Sequence, residues 1–174
     1  MNKDRILLIL GTTREDYGGI TIGKIGRGRD VRGRDDAAVR EERLAAEAIR
    51  YAKAFSRKVV VLQILHSDLY HYGYNDIILP APSKTRFLSY VRDAVTERGE
   101  RAAASLREVA KEQGVSLEIK TVESDDPPSA VLEEAKKGYD MIFLPKERRH
   151  LFPLLRKTAE QVLRKEGYEY TVTG

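Results

Sequence analysis

The chain has 174 residues, 41% of them hydrophobic and 33% charged, which suits one compact domain with a core and is too short for two ordinary ones. No apolar run approaches the about 20 residues of a membrane-spanning helix, and the short run after Met1 to Arg5 is not a secretory signal. The lack of cysteine excludes a disulfide framework, thiolate zinc sites and cysteine nucleophiles.

The formal charge of +4 is local, since Lys24, Arg27, Arg29, Arg32 and Arg34 stand against Asp30 alone. One basic loop on a neutral body points to a local anion contact or a solvated insertion, not to a global nucleic-acid face. A cytoplasmic location is expected by default.

In chain order, Arg5 to Leu10 is an apolar run that Gly11 ends, the pattern of a strand buried on both faces. Val59 to Leu65 and Met141 to Leu144 have the same character. Ser116 to Glu123 alternates polar and apolar residues, and Tyr168 to Thr173 does so more loosely, so these two read as edge strands.

Between the strands the period becomes helical. Leu44, Ala45, Ala48, Ile49, Ala52 and Phe55 form one stripe; Leu88, Val91, Val95, Ala102, Leu106, Val109 and Gln113 form a second, which Gly114 ends. Asp126 offers an N-cap with Pro127 at the first helical position, and Gly138 closes the short helix carrying Val131, Leu132 and Ala135. A last helix is expected from about Pro153, through Leu155, Ala159, Val162 and Leu163, to Gly167.

Strict alternation of strand and helix predicts a doubly wound α/β domain of three layers, with a five-stranded parallel sheet between helices on both faces. Central apolar strands and alternating edge strands are satisfied together by the order 3-2-1-4-5. That order puts a topological switch point between the first and fourth strands. A ligand site is therefore expected among Gly11, Thr12 and Thr13 together with Pro145, Lys146 and Arg148.

Pro128 to Leu144, Leu154 to Arg164 and the closing strand resemble the universal stress proteins, and the resemblance takes in nearly all of residues 1–174 except Arg14 to about Asp36. It implies the doubly wound fold and pairing into a homodimer through the final strand. ATP-binding members carry, after strand four, a glycine, two residues, a glycine, nine residues, a glycine and a serine or threonine. Glycines there let backbone N–H groups close on phosphate oxygens. The same spacing holds Pro145, Arg148, Thr158 and Ala159, so all three glycines are missing. Pro145 has no N–H, and Gly11 stands where the family has an aspartate that contacts the nucleoside. The resemblance thus implies a degenerate ATP-binding loop and no cofactor, with ATP or AMP as the alternative. Lys146, Arg148 and Arg149 could instead grip another anion through their side chains. The ligand-binding candidates are Gly11, Thr12, Thr13, Lys146, Arg148 and Thr158.

Other motifs carry less. Gly18 to Ile25 is one residue short of a P-loop and has isoleucine in place of the magnesium-binding hydroxyl, and Gly26, Gly28 and Gly33 follow where a P-loop needs a helix. The stretch from about 14 to 36 reads instead as a flexible Gly/Arg-rich insertion or an arm that touches a partner, RNA being one candidate. His66 and His71 lack the convergent ligands of a zinc or iron site. Tyr70, Tyr72 and Tyr74 alternate as in a loop packed on its own helix or at a dimer contact, and His150 reads as a surface residue. No Gly-x-Ser-x-Gly elbow or carboxylate pair at a strand end is found, and Asp125 and Asp126 read as a helix cap.

The expectation is a non-enzymatic regulatory or stress-response module, homodimeric, with an unidentified protein partner and without nucleic acid or membrane as a partner. The alternative is a nucleotide- or anion-binding protein that uses the strand-four loop and the basic residues from Lys24 to Arg34.

Overall fold

The computed structural model describes residues 4–10, 31–66, 81–146 and 158–173. Nine elements follow in the expected alternation: β1 (Arg5–Leu10), α1 (Val31–Ala54), β2 (Lys58–His66), α2 (Ala81–Glu112), β3 (Leu117–Ser124), α3 (Pro127–Ala135), β4 (Ile142–Pro145), α4 (Ala159–Lys165) and β5 (Tyr170–Thr173). The strands form one sheet in the order β3-β2-β1-β4-β5, and every pairing is parallel. The doubly wound α/β architecture expected from the pattern is the one observed.

The two faces of the sheet carry separate cores, because alternate residues of a strand point to opposite sides. Ile6, Leu8 and Leu10 of β1 join Val59 and Val61 of β2 and the Leu44, Ala48, Ile49 and Ala52 stripe of α1 on one face. Leu7, Ile9, Val60, Leu62 and Ile64 meet Val131 and Ala135 of α3 and Ala159 and Leu163 of α4 on the other. Both faces of β1 are thus covered, which is why its sequence is apolar without alternation. β3 and β5 lie at the edges and are only partly buried. Among the described residues no helix is long and apolar enough to cross a membrane.

Several expectations need correction. The α1 stripe ends at Ala52, for Phe55 lies past the helix and is 56% exposed. Of the expected α2 stripe, Leu106 packs against the core, Val109 is 41% exposed and Gln113 is exposed, and the side chains of Leu88, Val91 and Val95 lie outside the described residues; among the described residues of α2 the buried ones are Ala103 and Ala110. Ala110 joins the core on the α1 face of the sheet, with Leu106 packed against it. The described helix α4 begins at Ala159, where Thr158 is extended (φ −91°, ψ 158°) and caps it, while Pro153 and Leu155 of the expected helix lie outside the described residues. α1 begins at Val31, so the end of the Gly/Arg-rich stretch is helical backbone, while residues 14–30 of that expected insertion lie outside the described residues.

Candidate functional site

β1 and β4 are neighbours, with Leu7 opposite Ile142 and Leu8 opposite Phe143. Continuing that parallel register brings the carboxyl ends of the two strands, at Leu10 and Pro145, side by side. The chain winds from β1 toward β2 and β3 in its first half and toward β4 and β5 in its second, so this is the switch point where doubly wound sheets open a crevice. Of the expected ligand-binding residues, Lys146 and Thr158 are described there. Gly11, Thr12, Thr13 and Arg148 lie outside the described residues, as do the P-loop-like segment, His71, His150 and the three alternating tyrosines. His66 is the last residue of β2, paired in register with Ser124.

Three of the described main-chain donors flanking the strand-four loop are engaged within the chain. Pro145 has no N–H to give. The Lys146 amide donates to the Thr173 carbonyl at 3.0 Å, which ties the end of β4 to β5. At the start of α4, Thr158 and Gln161 form a capping box. The Thr158 hydroxyl accepts from the Gln161 amide, and the Gln161 side chain accepts from the Thr158 amide, both at 3.2 Å. The Lys146 side chain is exposed at the rim.

At the carboxyl end of β3, Asp126 occupies the N-cap position of α3 with proline next to it, as expected, but its side chain makes no cap hydrogen bond to the backbone. Its carboxylate instead accepts the Ser129 hydroxyl. Among the described residues no group of three or more His, Asp or Glu side chains is arranged to hold a metal ion.

A charged cluster that sequence reading missed lies away from the crevice. Glu134 is 4% exposed. Its Oε1 accepts from Lys120 Nζ of β3 at 2.7 Å and from the Tyr139 hydroxyl, and its Oε2 accepts from Lys137 Nζ at 2.6 Å. The Arg5 guanidinium lies 4.7 Å from the centre of the Tyr139 ring and donates to the carbonyls of Lys137 and Gly138. Burial pushes the Glu134 carboxyl up, but the hydrogen bonds from Lys120, Lys137 and Tyr139 outweigh it and hold the group down to about 2. Burial, then the bond to Glu134, push the Tyr139 phenol up. Both carboxylate oxygens are satisfied by this chain, so the cluster fastens α3 to β3 rather than offering a reactive group. The signal was its helical phase: Pro127, Val131, Glu134 and Ala135 are the buried positions of α3, and a glutamate on that stripe needs partners.

A search against family models and one against curated proteins each find no match. Solved structures do match along the whole chain. A universal stress protein, UspA from Lactobacillus plantarum, superposes with a TM-score of 0.61 at 12% identity, over 100% of this chain and 99% of that one. A protein of the universal stress protein family from Burkholderia pseudomallei follows with a TM-score of 0.58 at 15% identity, over 98% and 95% of the two chains. The chain has the fold of the universal stress proteins.

Proposed function

We propose that the protein is a non-enzymatic regulatory module of the universal-stress type, which pairs with a second copy through β5 and does not bind ATP in the manner of the family's glycine-loop members. The observation that carries the ligand half of this reading is the state of the amides around the switch point. Pro145 has none, and those of Lys146, Thr158 and Gln161 are spent on Thr173 and on the capping box. A triphosphate held by these three amides would have to break the β4–β5 tie or uncap α4, and each loss costs about 1 kcal/mol or more.

The pairing half rests on the contrast between the two sheet edges. β3 carries Glu118, Lys120 and Glu123, with Lys120 turned to the buried Glu134, and charges placed so discourage a second strand. β5 reads Tyr170-Thr171-Val172-Thr173 with no charge. The carbonyls of Glu169 and Thr173 point to β4, so by alternation the N–H and C=O groups of Tyr170 and Val172 face the free edge.

Calorimetric titration with ATP and with AMP, together with sedimentation of the free protein, tests both halves. No heat of binding at micromolar nucleotide and a dimer at micromolar protein are expected. ATP bound with a micromolar Kd, or a monomer at high concentration, would reject the corresponding half.

A further inference from the structure

The β5 strand has four residues, or about 13 Å of edge. Its pairing alone covers only part of the about 1,200–2,000 Å² that stable dimers bury. More apolar surface must therefore close beside it.

Three large hydrophobic side chains are exposed among the described residues: Phe55 at 56%, Val109 at 41% and Val122 at 36%. Val109 belongs to α2 and Val122 to β3, and β3 is the far edge of the sheet from β5. Phe55 is on the near side. The α1 helix runs antiparallel to β5, and its Glu47 accepts the hydroxyl of Thr173 at the upper end of that strand. One turn on, Tyr51 packs edge-on against Phe143 of β4 at 5.7 Å between ring centres. Burial and then the Asp140 carboxylate push the Tyr51 phenol up, and the nearby charge of Glu169, the residue before β5, adds to that rise. One turn further, the Phe55 ring stands 4.5 Å from that of Tyr51. Glu47 and Tyr51, one turn apart on α1, thus meet β5 and its neighbour β4, and Phe55, just past the helix, stands against Tyr51.

We propose that this row is the second half of the surface that closes a β5-paired dimer, with Phe55 as its aromatic anchor and a second copy of this chain as its occupant. The proposal rests on the β5 pairing put forward above. In an antiparallel pair the carboxyl end of the partner strand arrives at the Glu169 end of β5, and Glu169 is near enough to Tyr51, which carries Phe55 on its ring, to act on its phenol. An exposed aromatic already in tilted contact with a half-buried one presents a face that costs little conformational freedom to bury, the property that makes aromatic residues interface anchors.

Sedimentation equilibrium of the full chain, with circular dichroism as a check on folding, tests this with four variants. Phe55→Arg is expected to raise the dimer Kd at least tenfold while the monomer stays folded. Val109→Arg and Val122→Arg, on the far side, are expected to leave the Kd within twofold. Val172→Pro removes an N–H that faces the free edge and spares the Thr171 and Thr173 amides that face β4, so it is expected to abolish the dimer. A wild-type dimer unchanged by Phe55→Arg but lost in Val172→Pro overturns the anchor and leaves the β5 pairing standing. A dimer that survives Val172→Pro, or a monomeric wild type, overturns the pairing and the anchor with it.

Discussion

Ser56 has φ of 52°, the left-handed region, and is the sole non-glycine residue to do so among the described residues. The reason is the way α1 stops. The Ser56 amide reaches back to the Lys53 carbonyl and the Arg57 amide to that of Ala52, the two reversed bonds of a Schellman closure. α2 and α4 end through the same pair of bonds, with Gly114 (φ 69°) and Gly167 (φ 75°) at the corresponding position. A Cβ in that conformation costs about 1–2 kcal/mol, partly offset by the larger backbone entropy glycine loses on folding. Ser56→Gly is therefore expected to stabilise the protein by about 0.5–1 kcal/mol, read as a higher urea midpoint with an unchanged slope. A midpoint that falls would show that the serine side chain contributes more than the backbone strain costs.

At the scale of elements, α4 shows how a short helix is held in place. It has seven residues, too few to persist alone in water. Buried Ala159 and Leu163 hold it to the sheet, and the Thr158 and Gln161 box satisfies two of its first amides. Glu160 near the start and Arg164 and Lys165 near the end suit the helix dipole. Thr158→Ala removes the acceptor for the Gln161 amide and is expected to cost about 1 kcal/mol, measured as a drop in Tm. Thr158→Ser keeps the hydroxyl and is expected to recover most of the loss. Equal losses in the two variants would mean that the box adds nothing to the helix.

Across the whole molecule, the Glu134 cluster ties the β3 edge and its neighbouring helix into the domain. Its carboxyl sits at about 2 when folded against its usual 4.5. A lowered carboxylate stabilises the folded state fully above about pH 4.5, and that contribution is lost as the pH falls through the folded value. At about 1.4 kcal/mol per pH unit the gap is worth roughly 3 kcal/mol. The wild-type urea midpoint is expected to fall between pH 4.5 and pH 2.5 more steeply than that of Glu134→Gln, which starts lower and stays flatter. Parallel curves would assign the acid sensitivity to other carboxylates. The exposed pairs, such as Lys136 with Glu133 and Arg101 with Glu97, contribute little at any pH.

Local periodicity was enough to determine the element order, the central place of β1, β2 and β4, the strand order and the switch point. It also located the closing glycines at 114, 138 and 167. Each of these depends on residues a few positions apart whose solvent exposure repeats with period 2 or 3.6, and the strand order followed from which runs lack alternation. Only the tertiary structure decided that Ala103 and Ala110 are buried while Val109 is exposed, and that Thr158 caps α4. It also decided that Glu134 is buried and that Phe55 is exposed against Tyr51. Those facts depend on partners outside the local repeat: Lys120 comes from β3, and Tyr51, against which Phe55 stands, packs on Phe143 of β4. Burial and hydrogen bonding at such positions are set by which elements pack together, and a one-dimensional pattern does not carry that information.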